Sequence, residues 1–163
     1  MAGSAEALSI RKAEEKDLDE ILDLFEASIR QTCNQDYNQA QIEVWVESRY
    51  NKERWLRFLS HHSFSVAVME EQIAGFAALD GPDYLDLLYV HPNHQKTGVA
   101  ALLFVEILKE AKGRGAKVLR SDVSITAKPF FLSKGFKEVQ KNEHLKDGAE
   151  LVNYLMVLEI KGS

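Results

Sequence analysis

Residues 90–100 carry the side chains whose types and spacing point most clearly to chemistry. An apolar run ends at a His-Pro pair, a short polar loop containing Lys96 follows, and Gly98 then opens a long helical pattern. Backbone N–H groups without partners and the positive end of the helix dipole meet at such a helix start, which suits a phosphate. Gly98 has no Cβ, so a ligand can approach its backbone closely. We therefore expect a phosphate group to bind at this loop.

A carboxylate, Asp86, interrupts the apolar strand that precedes this loop. Side chains alternate along a strand, so Tyr84, Asp86 and Leu88 are expected to share one face. A buried carboxylate needs a partner or a purpose, and Asp86 could serve as a general base. The alternative is an edge-exposed or hydrogen-bonded structural Asp, and periodicity alone does not choose between the two. Asp122 is the second candidate base, and Tyr84 is expected to be a pocket wall.

The elements that position these residues follow from hydrophobic periodicity. Strand patterns occupy residues 8–13, 63–69, 73–79, 84–90, 117–124, 136–144 and 151–160. Helical patterns occupy residues 18–29, 42–50, 55–59, 99–112 and 126–134. Asp17 is a plausible N-cap of the first helix. This order of strands and helices predicts one mixed α/β domain over residues 1–163.

Two blocks of the chain resemble conserved motifs of the GNAT superfamily of acetyl-CoA-dependent N-acetyltransferases. In residues 90–100 a Val is followed by Gln95, Gly98 and Ala100 at the spacing of the family's pyrophosphate-binding motif. Residues 124–136 resemble the second block, in which an aromatic residue precedes a Gly-Phe pair by four positions. The residues of this block, and of the strand Tyr-Leu-Asp-Leu-Leu-Tyr-Val, are similar to those of the YafP-type branch of bacterial GNAT proteins. The resemblance implies an α/β (α+β) fold, with a mixed, mostly antiparallel sheet of about seven strands flanked by helices.

The resemblance also implies where a cofactor would bind. The pantetheine arm of acetyl-CoA would pair with the free edge of the strand that ends in Val90, like an added strand. The backbone N–H of Leu88 would point at the thioester carbonyl and stabilise its developing negative charge. The implied cofactor-binding residues are Leu88, Tyr89, Val90, Gln95, Lys96, Thr97, Gly98, Val99, Ala100, Ser124 and Phe131.

Two residues depart from the family pattern. Ser124 stands where many members carry an Asn that holds the pantetheine arm, and its hydroxyl reaches less far. Phe131 stands where many relatives have a Tyr that protonates the departing thiolate, and Phe cannot donate a proton. Either another group or water protonates the thiolate, or it leaves unaided, which is plausible for the acidic thiol of coenzyme A.

The resemblance implies an N-acetyltransferase that moves an acetyl group to a primary amine by direct attack on the thioester, and Asp86 is the first candidate for its base. The acceptor would be a small-molecule amine or a peptide amine. The absence of the usual Tyr keeps open an alternative, a non-catalytic module that binds acyl-CoA. A phosphate-binding nucleotide enzyme is disfavoured, because the chain has no Gly-x-x-x-x-Gly-Lys-Ser/Thr loop.

The amino-acid composition excludes further classes of function. The net charge of −5 over 163 residues argues against nucleic-acid binding, which normally shows a basic face. No apolar run is long enough to cross a bilayer, and no secretory signal is visible, so we expect no membrane association and a cytoplasmic protein. The single cysteine agrees with a reducing compartment. Monomer and homodimer both remain open.

The remaining candidate residues are weaker. Cys33 could be acetylated in a two-step route, but a lone cysteine is usually a small buried residue. The His61-His62 and His91-His94 pairs lack the carboxylate or Cys partners of a metal site, so no metal is expected. Four aromatic residues before the second strand could line an acceptor pocket, although a core role is favoured for the two Trp residues; they are Tyr37, Trp45, Tyr50 and Trp55.

Overall fold

A computed structural model describes residues 7–161 and shows one seven-stranded sheet with helices on both faces. The strands are β1 (Ser9–Lys12), β2 (Ser63–Met69), β3 (Gln72–Asp80), β4 (Tyr84–Val90), β5 (Val118–Ser124), β6 (Lys137–Lys146) and β7 (Ala149–Glu159). The α-helices are α1 (Leu18–Thr32), α2 (Gln39–Glu47), α3 (Lys52–His61), α4 (Val99–Gly113) and α5 (Lys128–Ser133). Residues 1–6, 162 and 163 of the predicted domain lie outside the described part.

The sheet has the order β1-β2-β3-β4-β5-β7-β6. Among these described strands, every neighbouring pair is antiparallel except β4 and β5, which run parallel. The prediction of a mixed, mostly antiparallel sheet is therefore confirmed. The parallel pair lies in the middle of the sheet, which is where the two halves of the molecule meet.

Two apolar clusters, one on each face of the sheet, form the core. The first packs α1, α2 and α3 onto β2, β3 and β4. The second packs α4 and α5 onto the opposite face, together with residues of β5 and β7. The apolar stripe predicted for the first helix is confirmed, because its residues are all buried: Leu18, Ile21, Leu22, Phe25 and Ile29. Burial on both faces explains why β3 is apolar along nearly its whole length.

The last hairpin is longer than the periodicity indicated. Strands β6 and β7 extend to Lys146 and from Ala149, so only Asp147 and Gly148 remain as the turn. Both turn residues have positive φ, 48° and 81°, as the tight turns of hairpins require. None of the described helices is long and apolar enough to span a membrane.

The expected N-cap role of Asp17 is wrong. Asp17 has helical backbone angles and makes no cap hydrogen bond to α1, because it lies at the end of a short 3-10 turn. Its carboxylate instead accepts two hydrogen bonds from the Arg11 guanidinium, at 2.8 and 2.9 Å, and one from the Glu14 N–H at 2.7 Å. These bonds, above all those from Arg11, hold the pKa of Asp17 below its ordinary value. The residue thus ties β1 to the start of α1.

We expect Asp17→Asn to lower the free energy of unfolding at neutral pH by about 1–2 kcal/mol. The Asp17 side chain is only 7% exposed, and charge-assisted hydrogen bonds are lost, although the half-exposed Arg11 recovers some hydration. Because the folded-state pKa of Asp17 is lowered, this stability is present above the unfolded pKa and disappears as the pH falls below about 4. Urea unfolding at pH 7 and pH 3 should therefore show a difference in unfolding free energy between variant and wild type that is smaller in acid. A gap that stays constant with pH would contradict the ion-pair explanation.

Candidate functional site

A cleft of about 700 Å³ opens in the sheet between β4 and β5. These two strands share a single register pair, Tyr84 with Arg120, and then diverge. The Oγ of Ser121 donates a 2.7 Å hydrogen bond to the Leu85 carbonyl just beyond that pair. The strands therefore separate in the direction of Val90, and the cleft exposes the edge of β4 that the resemblance assigns to a cofactor.

Strand β4 contains a β-bulge at Asp86. Leu85 pairs with Leu79 and Leu87 pairs with Ala78, so Asp86 has no partner on β3. From this bulge onwards, the side chains of the strand alternate in the opposite sense. On one face lie Leu85, Leu88 and Val90, and on the other lie Leu87 and Tyr89. The expectation that Tyr84, Asp86 and Leu88 share one face is therefore wrong, because an inserted residue reverses the alternation.

Asp86 lines the cleft and is paired with a histidine. Its Oδ2 lies 2.9 Å from Nε2 of His62, the residue that follows α3. The Asp86 side chain is 24% exposed, so one carboxylate oxygen is held by the ring while the residue still faces the cleft. Sequence reasoning considered His62 only as a metal ligand and rejected that role. The 24 positions that separate it from Asp86 carried no local signal of the contact.

The second candidate base, Asp122, is more fully engaged. Tyr84 donates its hydroxyl to Oδ2 of Asp122 at 2.5 Å, and Asn142 donates its amide to Oδ1 at 2.8 Å. Burial and then the neighbouring Asp122 carboxylate raise the pKa of Tyr84 well above its ordinary value. Both oxygens of Asp122 thus already accept hydrogen bonds, and Tyr84 keeps its proton as a wall of the cleft.

The loop before α4 has the backbone that the sequence suggested for an anion site. Lys96 and Gly98 both have left-handed backbone angles, φ 61° and 90°, and α4 begins at Val99. The Gln95 side chain donates to the Val90 carbonyl at 3.0 Å and so fixes the loop to the end of β4. The first N–H groups of a helix have no partners within it, so they face any ligand at this end of the cleft.

The structure brings most of the predicted cofactor residues to this one cleft. Those that line it are Leu88, Tyr89, Val90, Gln95, Lys96, Gly98, Ala100, Ser124 and Phe131. The side chains of the other two have different partners. Val99 is buried close to Gly75, and the Thr97 hydroxyl donates to the His94 carbonyl. Only the backbone of these two residues is suited to the role predicted for them.

Ser124 and Phe131 line the cleft from β5 and α5. The Ser124 Oγ accepts a 3.1 Å hydrogen bond from the Ala127 N–H and so shapes the turn into α5. Phe131 is buried, with its ring 5.7 Å from that of Phe130 and 4.9 Å from that of Phe136. Phe131 therefore contributes an apolar surface, and the Ser124 hydroxyl hydrogen remains a donor for a ligand.

Aromatic residues line the cleft on the face of the sheet that α1 to α3 cover. Tyr37, Trp45 and Trp55 are among them, together with Phe25 and Phe58, which sequence reasoning did not single out. Trp55 is also part of the core, as favoured from the sequence. Tyr50 does not belong to this set, because it is 75% exposed at the end of a 3-10 turn.

Tyr37 joins three segments beside the cleft. Its hydroxyl donates to the Val152 carbonyl at 2.6 Å and accepts from the Ile125 N–H at 2.9 Å. Burial raises the pKa of Tyr37 to about 12, so the phenol stays neutral. The residue is therefore a structural bridge between the loop after α1, the end of β5 and β7.

Neither a cysteine nucleophile nor a metal centre is indicated. Cys33 lines the cleft but is buried, and burial raises the pKa of its thiol, which keeps the reactive thiolate scarce. Within residues 7–161, no three His, Cys, Asp or Glu side chains come together as metal ligands would.

Comparisons with known proteins point to one family. Residues 33–158 match the model of the acetyltransferase (GNAT) domain family. The chain is 30% identical to the uncharacterized N-acetyltransferase YafP of Escherichia coli K12, over 91% of this chain and 94% of that protein. A crystal structure of a GCN5-related N-acetyltransferase from Rhodopseudomonas palustris is 32% identical, with a TM-score of 0.89 over 98% of this chain and 99% of that one.

A more distant structure shares the fold. The PaiA N-acetyltransferase of Thermoplasma acidophilum, solved in complex with coenzyme A, is 22% identical with a TM-score of 0.77, over 94% of this chain and 99% of that one. The family match spans both the diverging strands and the loop before α4. The chain is therefore a member of the GNAT family of N-acetyltransferases.

Proposed function

We propose that this N-acetyltransferase moves the acetyl group of acetyl-CoA to a primary amine, which attacks the thioester directly. The observation that supports this most strongly is one cleft lined both by the loop before α4 and by Asp86 of β4, whose carboxylate is hydrogen-bonded to His62. Aromatic side chains under α1 to α3 line the same cleft and favour an amine with an apolar body.

The cofactor would lie along the diverging edge of β4. Backbone N–H groups from Gln95 to Ala100 would bind the pyrophosphate, with Lys96 adding a positive charge. The pantetheine amides would pair with the backbone at Val90, and Tyr89 and Ser124 would border the arm. The thioester would then lie near the bulge, where the Leu88 N–H would donate to its carbonyl oxygen.

The chemistry then follows from the groups around the thioester. Asp86 accepts one proton from the incoming ammonium, and the free amine nitrogen attacks the carbonyl carbon. The tetrahedral intermediate collapses with cleavage of the carbon–sulfur bond, and the thiolate takes the second proton released by the nitrogen. Phe131 supplies no proton, so the proton from that nitrogen reaches the thiolate directly or through a water, and the Leu88 N–H stabilises the oxyanion between the two steps.

A thiol-release assay over a panel of amines tests this function. The full chain is incubated with acetyl-CoA and polyamines, arylamines, amino acids or peptides with free N-termini, and free coenzyme A is measured. We expect at least one class to raise thiol release above the rate in buffer and to yield an acetylated product by mass spectrometry. If every amine leaves the rate at the buffer level, the proposed amine transfer is wrong.

The anion loop can be tested with glycines at the two ends of α4. Gly98 and Gly115 have similar positive φ, 90° and 82°, and at both glycines the position that a Cβ would occupy has no neighbouring atom within 4 Å. Gly98→Ala and Gly115→Ala should therefore each destabilise the fold by about 1 kcal/mol through the same backbone strain. Only Gly98→Ala places a methyl group against the bound pyrophosphate, so it should weaken coenzyme A binding about tenfold, or ~1.4 kcal/mol. Calorimetry with coenzyme A measures this, and equal affinities in the two variants would contradict the assignment.

A further inference from the structure

One arginine in the cleft has no carboxylate partner. Arg54 lies in the first turn of α3 and lines the cleft, and within residues 7–161 no acidic side chain forms an ion pair with it. Every other arginine of the chain pairs with an aspartate or a glutamate; these are Arg11, Arg30, Arg49, Arg57, Arg114 and Arg120. An unpaired guanidinium beside a cavity is available to bind an anion.

Aromatic packing holds the Arg54 guanidinium against the wall of the cleft. Its Cζ lies 5.2 Å from the centre of the Phe58 ring, which is a cation–π contact. Phe58 is partly buried and lines the cleft itself, so the contact keeps the guanidinium beside the cleft. The ring interacts through its face alone, and the five N–H donors at the edge of the guanidinium therefore remain for a ligand.

One side of α3 leads from Arg54 to the candidate base. Arg54, Phe58 and His62 follow one another at intervals of four residues, so they form a row along the helix with Phe58 in the middle. The Phe58 and His62 rings are 4.9 Å apart, and Nε2 of His62 lies 2.9 Å from Oδ2 of Asp86. The guanidinium carbon is therefore no more than about 10 Å from the centre of the imidazole that holds Asp86.

The part of the cleft beside this row is apolar. Phe25, Trp45 and Trp55 line the cleft on the face of the sheet that α1 to α3 cover. A ligand that reaches from Asp86 to Arg54 therefore has to pass aromatic rings. An apolar body between its two polar ends matches these surfaces.

The other cationic side chains that line the cleft lie on different elements. His94 and Lys96 come before α4, and Lys96 is already proposed to face the pyrophosphate; His144 and Lys146 lie at the end of β6. Only α3 carries both a cation of the cleft and, at its end, the partner of Asp86. Arg54 is thus the cation that the row of side chains connects with the candidate base.

We infer that Arg54 determines the class of acceptor: a small amine that carries a carboxylate at the far end of an apolar body. This inference rests on the proposed amine transfer. The amine lies at Asp86, the apolar body packs against Phe58 and Trp55, and the guanidinium of Arg54 binds the carboxylate through two parallel N–H···O bonds. The cleft of about 700 Å³ also receives the end of the cofactor, so a small molecule fits the remaining space.

Turnover with two amines of the same shape tests this inference. In para-aminomethylbenzoate a carboxylate lies opposite the aminomethyl group, and in para-methylbenzylamine a methyl group takes its place. For the wild type we expect the carboxylate to lower the KM about tenfold, as one charge-assisted pair at a partly exposed site would. In Arg54→Gln the two amines should have similar KM values, with kcat within about twofold of wild type. Arg54→Lys keeps the charge without the paired donors, so it should retain part of the preference.

Arg57→Gln is the matched control. Arg57 lies on the same helix and is exposed, but it pairs with Glu53 and does not line the cleft. This variant should keep the full preference for the carboxylate. An unchanged preference in Arg54→Gln would overturn the inference. Calorimetry should give wild-type affinity for coenzyme A in both variants, and a weakened affinity in Arg54→Gln would assign the guanidinium to the cofactor instead.

A binding measurement separates failure of this inference from failure of the proposed function. The two tryptophans of the chain, Trp45 and Trp55, both line the cleft, so their fluorescence reports a bound amine without any reaction. With coenzyme A present, para-aminomethylbenzoate should bind about tenfold more tightly than para-methylbenzylamine to the wild type and to Arg57→Gln, but not to Arg54→Gln. If this pattern is found and no amide forms, only the proposed transfer fails. If amines are acetylated and the carboxylate improves neither binding nor KM, the transfer stands and the inference about Arg54 is wrong.

Discussion

Asp86→Asn is expected to lower kcat by about 10²- to 10⁴-fold while the affinity for coenzyme A stays unchanged. Asparagine has the size of aspartate and can keep a hydrogen bond to His62, so the bulge and the cleft should retain their shape. It cannot accept the proton that the ammonium must lose. Thiol release with the fastest amine gives kcat, and calorimetry with coenzyme A gives the affinity.

Two other carboxylates on neighbouring elements provide controls for this substitution. Asp83 lies in the turn before β4 and pairs with Arg120 at 3.2 Å, away from His62. Asp83→Asn should leave kcat within about twofold of wild type, since exposed ion pairs contribute little. Asp122→Asn should cost less than Asp86→Asn, because both Asp122 oxygens already accept hydrogen bonds. Unchanged turnover in Asp86→Asn would leave this residue only a structural partner of His62.

The sequence predicted the parts of the fold that depend on long periodic patterns. The stripe on α1 repeats apolar residues at helical spacing, and the strand–loop–helix unit contains a glycine, Gly98, at the start of its helix. Both signals are local in the sequence. A mixed, mostly antiparallel sheet of about seven strands was expected only through family resemblance, because periodicity assigns residues to a strand without naming the neighbouring strand. The seven-stranded order confirms that resemblance.

The features that the sequence did not predict are those set by single residues or distant contacts. One inserted residue, Asp86, reverses the faces of β4, and an alternating pattern has no local mark of such a bulge. Asp17 looked like a cap, but the competing guanidinium of Arg11 comes from a strand six positions earlier. His62 meets Asp86 only because α3 ends where β2 begins, which is a tertiary result.

The loop before α4 depends on a second glycine, which lies in β3. A Cβ built on Gly75 would be 2.8 Å from the Val99 side chain, 2.9 Å from the Tyr89 carbonyl oxygen and 3.0 Å from the Leu103 side chain. Real Cβ atoms do not approach other atoms so closely, so the first turn of α4 presses directly on the backbone of β3. The Tyr89 carbonyl lies on the side of β4 that faces β3, one residue before Val90, where the pantetheine arm is proposed to pair.

We therefore expect Gly75→Ala to lower the free energy of unfolding by about 1–3 kcal/mol, because overpacking forces the helix or the strand to shift. The same shift moves the start of α4 relative to β4, so coenzyme A binding should weaken along with stability. Gly113→Ala is the matched control, since Gly113 lies in the last turn of the same helix with nothing within 4 Å. It should keep full affinity and raise stability by about 0.5–1 kcal/mol, because alanine loses less backbone freedom on folding.

Urea unfolding and calorimetry on both variants measure these effects, and their combination decides the cause. A destabilised Gly75→Ala protein that still binds coenzyme A with full affinity would mean that the strain relaxes away from the loop. Equal stability of Gly75→Ala and wild type would mean that α4 has room to move outward. Joint loss of stability and affinity in Gly75→Ala, with neither in Gly113→Ala, is the result that the contact between β3 and the start of α4 requires.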